Sequence, residues 1–213
     1  MIVLKEKTRE SIKEMLAPFF ESPTRVDFRE LLKGCLGEFD HIDFKEKWIE
    51  IPDLAKHILA MANTCGGIII FGVREQDNHL TPVGLSENGD KTQDKTKLKG
   101  SLEKFLPSNL DYDILDFFYD ESEWGSLVGK SFQVVLVGDD PDKIPFLSNS
   151  DGSNIYKNRV YYRSKTNTEE ANQQQIDDII DRRIRSLHHI VSETKFSQDL
   201  SQLKQLYDLT STV

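Results

Sequence analysis

The chain has 213 residues, 38% of them hydrophobic and 30% charged, with a net charge of −9. That length and composition support one domain with a real core. They exclude a generic nucleic-acid binder of the kind marked by an overall basic excess, although a local basic patch fits inside a negative sum.

The opening stretch places Ile12, Met15, Leu16 and Phe19 at helical spacing and predicts a packing helix that ends before Ser22-Pro23. A second short helix is predicted over Phe28 to Lys33, stopped by Gly34. In "EFDHIDFKEKW", Ile42 and Phe44 alternate with Asp43 and Lys45, the pattern of a strand with one wet face. Asp43 and Lys45 then point to the same side, as does His41, which is read as a surface residue. Pro52 and Asp53 open a helix with Leu54, Ile58 and Met61 on its buried stripe, and Gly66-Gly67 can end it. "IIIFGV" is apolar on both faces and reads as a central strand. "REQDNH" is predicted to turn, and "LTPVGL" to return as an edge strand, where Pro82 is tolerated.

Residues 91–106 read as a helix carrying Lys91, Lys95, Lys97, Lys99 and Lys104. "YDILDFFY" and "SFQVVLVG" are two more strands, and "NIYKNRVYYRS" a further strand or hairpin. A long helix is predicted over "TEEANQQQIDDIIDRRIRSLHHI", with Ile176, Ile179, Ile180, Ile184 and Leu187 on one side. The tail "SQDLSQLKQLYDL" makes one more short helix. The sum is an α+β fold with a mixed central sheet of about six strands and flanking helices. Its expected divisions are an N-terminal helix over 1–25, the main domain over 26–187 and a helical tail over 188–213.

Cys35 and Cys65 form neither a disulfide framework nor a zinc spacing, no apolar run reaches the length of a membrane span, and the first residues lack a signal-like apolar stretch. A reduced, cytoplasmic setting is the expectation.

Glu38, Asp43-Phe44-Lys45, "LAKHILAMANTCGGIIIFGV" and "PVGL" together resemble the Schlafen AlbA_2 domain. "IYKNRVYYRSKTNTEEA" resembles that family's closing strand and polar tail. The resemblance covers about residues 26–185 and is most specific at Ala62-Asn63-Thr64-Cys65-Gly66-Gly67. It implies two kinds of function. Animal relatives include endoribonucleases that cut transfer and ribosomal RNA with three carboxylates. Microbial relatives are described as ATP-binding or DNA-binding regulators, and some look like parts of defence systems. Mapped here, the carboxylates are Glu38, Asp43 and Glu75, with two departures. Asp43 stands where the family usually has glutamate, and Arg74-Glu75 where it often has two acids.

On this reading Glu38, Asp43 and Glu75 hold magnesium or manganese, and Lys45 assists electrostatically. The product is a metal-dependent endoribonuclease acting on tRNA-like RNA or DNA, in defence or stress. The alternative is a non-catalytic nucleic-acid-binding or partner-docking module, with Arg74 neutralising Glu75 as an ion pair. Nucleic-acid contacts are expected from Lys95, Lys97 and Lys99, and from Lys157, Arg159, Arg163 and Lys165, the second set interleaved with tyrosines. Gly66 and Gly67 follow a helix rather than precede one, so ATP binding is disfavoured, and no Walker pattern exists. Asn63, Thr64, Gly66, Gly67 and Gly72 are read as structural, and a homodimer through the first or last helices, or a partner protein, as the assembly.

Overall fold

The computed structural model describes residues 17, 19–34, 41–76, 79–85, 92–121 and 124–189. Residues 17 and 19–21 are helical, but most of the predicted first helix lies outside the described residues, as do Glu38, Lys91 and the tail helix. In chain order come α1 (Arg25–Gly34), β1 (Ile42–Lys45), α2 (Ile51–Thr64), β2 (Gly67–Phe71), β3 (Val73–Gln76) and β4 (His79–Pro82). Then follow α3 (Lys95–Leu102), β5 (Tyr112–Tyr119), β6 (Lys130–Val137), β7 (Tyr161–Ser164) and β8 (Asn167–Glu170). A last helix, α4, spans 173–189.

The fold is mixed α+β. Its central sheet has the order β1-β2-β6-β5, and β3-β4 and β7-β8 form separate two-stranded sheets. β1 and β2 are parallel, joined through α2, while β2-β6 and β6-β5 are antiparallel. The apolar run of β2 follows from burial on both faces. Ile69 and Phe71 pack with Leu54, Ile58 and Met61 of α2, whereas Ile68 and Ile70 pack with Phe28 and Leu32 of α1. The sheet is thus the middle layer between two cores.

Gly66 explains how α2 gives way to β2. It sits at φ +67, its N–H donates to the Met61 carbonyl, and a Cβ there would meet the Val137 carbonyl oxygen at 2.7 Å. Gly72, at φ +100, breaks the expected "IIIFGV" strand. After it the chain leaves the central sheet, and "REQ", expected to turn, becomes β3 paired with β4. The Gly72 carbonyl accepts from the N–H groups of Val83 and Gly84, closing the base of that hairpin.

Two further expectations are corrected. Residues 167–170 are the strand β8, so the last helix begins at 173. Within it Ile179 is buried, but Ile180, Ile184 and Leu187 are exposed, because a helix turns 100° per residue and cannot put neighbours 179 and 180 on one stripe. No helix among the described residues is long and apolar enough to cross a membrane.

Gly66→Ala is expected to cost about 2 kcal/mol, since it combines a left-handed backbone with a backbone clash. Urea unfolding measures it, and a loss below about 0.5 kcal/mol would contradict this account of the helix-to-strand turn.

Candidate functional site

β1 carries the first half of the candidate site. Its alternation holds: Ile42 and Phe44 join the α1-side core, so Asp43 and Lys45 point toward α2. That face is not wet. Asp43 is 1% exposed, because α2 and β7 close over it. A carboxylate in that position needs compensating charge.

Three groups supply the surroundings. Lys45 Nζ lies 2.8 Å from Asp43 Oδ1, and Arg163 Nη2 of β7 lies 3.6 Å from the same oxygen. His57 of α2 places Nδ1 3.6 Å from Oδ2 and 3.0 Å from the Thr168 hydroxyl of β8. Arg163 is fully buried, and Nη2 also donates to the Ile42 carbonyl at 3.2 Å. Its Nε and Nη1 are buried without a hydrogen-bond partner, and so is Asp43 Oδ2. Three elements meet at one carboxylate, and β8 joins them through the imidazole.

Burial raises the Asp43 carboxyl, but Lys45, His57 and Arg163 outweigh it and hold the group below the usual carboxylate range. Burial pushes the His57 imidazole down to about 4, against the pull of Asp43. His57 is therefore neutral near pH 7, and Lys45 and Arg163 are the charges that keep Asp43 ionised.

The other expected site residues fall elsewhere. Glu38 lies outside the described residues. Glu75 is half-buried on β3, beyond the Gly72 break and opposite Leu80. Arg74 does not pair with Glu75. Its guanidinium forks onto Glu46, at 2.8 and 2.6 Å. Among the described residues no three of His, Cys, Asp and Glu gather to hold a metal. The resemblance implies a divalent cation, but Asp43 as placed does not fit one. Its oxygens already face a lysine, an arginine and an imidazole in a closed space.

Arg163 is a further correction, since it was expected to contact nucleic acid and is instead turned inward to Asp43. The α3 lysines are largely matched by β5 carboxylates: Lys95 pairs with Asp116 at 3.1 Å and Lys99 with Asp113 at 2.9 Å. Lys97 stays exposed. Lys157 and Lys165 are exposed and make no salt bridge among the described residues, while exposed Arg159 pairs with Glu170. Beside them Tyr156 is exposed.

Sequence reasoning missed His57, mid-helix with no spacing signal, and it placed His41 on the surface, where the structure buries it. Cys65, next to the Gly66-Gly67 turn, is a half-buried free thiol. Asn63 and Thr64 bond beyond the end of their own helix. Asn63 donates to the carbonyls of Phe146 and Tyr161 and accepts from the Phe146 N–H. The Thr64 hydroxyl donates to the Ala60 carbonyl and accepts from the Arg163 N–H. A Cβ at Gly66 would meet the Val137 carbonyl oxygen at 2.7 Å and one at Gly67 the His41 carbonyl oxygen at 2.7 Å, so both positions are packed against backbone.

The family model described as Schlafen, AlbA_2 matches residues 38–172, well over half of the chain. No curated protein matches. Among solved structures, the DIP2311 protein from Corynebacterium diphtheriae is similar at 17% identity and a TM-score of 0.45. That match covers 76% of this chain and 31% of the other, so the chain spans about a third of that protein's length.

The His57 shift gives a pH dependence with a definite sign. The unfolded imidazole protonates near 6.5 and the folded one near 4, so stability falls as pH drops from about 7 to 4, by about 3 kcal/mol in total. Asp43 adds its own loss only at still lower pH, where its depressed carboxyl protonates. His57→Gln should flatten the unfolding free energy between pH 7 and 5, and parallel curves for variant and wild type would refute the assignment. Asp43→Asn and Arg163→Met should each cost about 3 kcal/mol or more, and the double variant clearly less than their sum. Strict additivity in chemical denaturation would show that the pair is not coupled.

Proposed function

Because the chain belongs to the Schlafen AlbA_2 family, an association with nucleic acid is its starting point, and we propose that it acts as a nucleic-acid-binding module in which Asp43 is a structural charge and not a metal ligand. The observation that carries this reading is the closed environment of Asp43, with Lys45 at 2.8 Å and Arg163 at 3.6 Å on one oxygen. A carboxylate held this way locks β1 to β7, and a divalent cation would have to displace the lysine from a buried site.

The binding surface on this reading lies along the approach to β7 and its hairpin tip. Tyr156 offers an aromatic face, and Lys157, Arg159 and Lys165 offer charge to phosphates. RNA is the favoured polymer, since exposed bases can stack on an aromatic ring. Local charge of this kind operates despite the net −9 of the chain, provided the acidic stretches face away.

The metal-dependent endoribonuclease is the competing reading. It rests on Glu38 and on half-buried Glu75. Asp43 fits it worst of the three. A role in defence or stress would attach to either reading.

Fluorescence anisotropy with a single-stranded RNA and a transfer RNA separates the two. Binding should be the same in magnesium and in a chelator, and should weaken steeply with salt. A Lys157→Ala/Arg159→Ala/Lys165→Ala variant should bind at least tenfold more weakly, with the salt slope reduced by about two. Metal-dependent cutting of the same RNA, lost in Glu38→Gln or Glu75→Gln chains that remain folded, would overturn the binding-module reading. An unchanged affinity in the triple variant would remove the proposed surface.

A further inference from the structure

A surface loop ordinarily leaves its N–H groups to water. The loop that leads into β7 does not. Four successive N–H groups donate within the molecule. Tyr156 donates to the Tyr161 hydroxyl at 2.8 Å, and Lys157 to Asp151 Oδ1 at 2.9 Å. Asn158 donates to the Ser148 carbonyl at 2.8 Å, and Arg159 to the Ser148 hydroxyl at 3.1 Å. The Ser148 hydroxyl in turn donates to the Tyr156 carbonyl, so both polar backbone groups of Tyr156 are held. Ser148 and Ile155 are buried beneath the loop. Asn154 ties it to the start of α2 through Asp53 Oδ1 at 2.8 Å.

The side chain at the centre of this bracing is bare. Tyr156 is 57% exposed, and its hydroxyl makes no hydrogen bond among the described residues. A tyrosine has only two side-chain torsions. On a fixed backbone it loses little freedom when a second ring stacks on it.

Tyr161 brings a cation to the same support. Its hydroxyl holds the Tyr156 N–H, and Lys56 Nζ of α2 stands over its ring, 5.4 Å from the centroid. Lys56 is half-buried and makes no salt bridge among the described residues. One buried tyrosine therefore sets an exposed aromatic face and an ammonium against a common anchor. Neither role depends on Arg159, whose charge is already matched by Glu170.

We infer that Tyr156 and Lys56 form a subsite for one unpaired nucleotide, with the base stacked on Tyr156 and its phosphate against Lys56. This rests on the nucleic-acid-binding reading and adds what that surface selects. In a duplex the base faces are covered by their neighbours, so a fixed ring that offers stacking rewards unpaired nucleotides. Every base has a π-face, so the selection is for strandedness and not for sequence.

Anisotropy titrations with a single-stranded RNA and with the same sequence annealed to its complement test this. The wild type should prefer the single strand. Tyr156→Ala, a truncation at an exposed position, should weaken single-strand binding about tenfold with the salt slope unchanged, and should leave duplex binding within about twofold. Tyr156→Phe keeps the ring and should bind as the wild type does. Lys56→Gln should weaken the single strand and reduce its salt slope by about one. A wild type that binds neither RNA would remove the nucleic-acid reading and the subsite together. A wild type that binds, but whose Tyr156→Ala variant is unchanged or loses single strand and duplex alike, would leave that reading standing and overturn the subsite alone. An unchanged salt slope in Lys56→Gln would overturn the phosphate contact.

Discussion

A buried negative charge organises this fold. Strand β1 alternates, so one side feeds the α1-side core and the other must meet α2 and β7. That second side presents Asp43, and a carboxylate without compensation could not remain ionised there. Lys45 comes from the same strand, His57 from α2, Arg163 from β7, and Thr168 of β8 steadies the imidazole. The requirement to neutralise one side chain therefore fixes how the β7-β8 hairpin seats on the α2 layer. Hydrophobic contact alone would allow that hairpin to slide, whereas a charge with fixed partners does not.

The end of α2 is a second seam, built from neutral groups. Asn63 bonds the backbone of Phe146 and Tyr161, and Thr64 receives the Arg163 N–H. One turn of helix thus positions the backbone of the residue whose guanidinium reaches Asp43. Gly66 then permits the reversal into β2. Within this short run Asn63, Thr64, Gly66 and Gly67 each answer a different local demand.

Much of this was legible in the residues. The two-sided burial of β2 followed from its unbroken apolar run, and the common side of Asp43 and Lys45 from the period of a strand. What periodicity could not show was the environment that side would meet. The same alternation describes a solvated face and a buried ion pair, and the difference lies with Arg163 and His57, distant in sequence. His57 carried no signal because a polar residue at a helical position is ordinarily solvent-facing. Arg163 misled for a related reason. It stands among exposed cations, yet strand alternation turns it the opposite way from Tyr162. The break at Gly72 was hidden because "IIIFGV" reads as one apolar strand straight through the glycine, and the polar "REQ" beyond it reads as a turn and not as a new strand.

That break separates two lengths that a continuous strand would couple. The β3-β4 hairpin closes its base on the Gly72 carbonyl and is tied to the sheet at two points, the Gly72 N–H to the Lys45 carbonyl of β1 and the Leu85 N–H to the Ser131 carbonyl of β6, while β2 pairs with β1 and β6 only up to Phe71. A residue gained or lost between β3 and β4 would leave every core contact of the central sheet in register. Glu75 lies on the hairpin side of that break, so its distance from Asp43 is set by the hairpin and not by the strand that carries the central sheet.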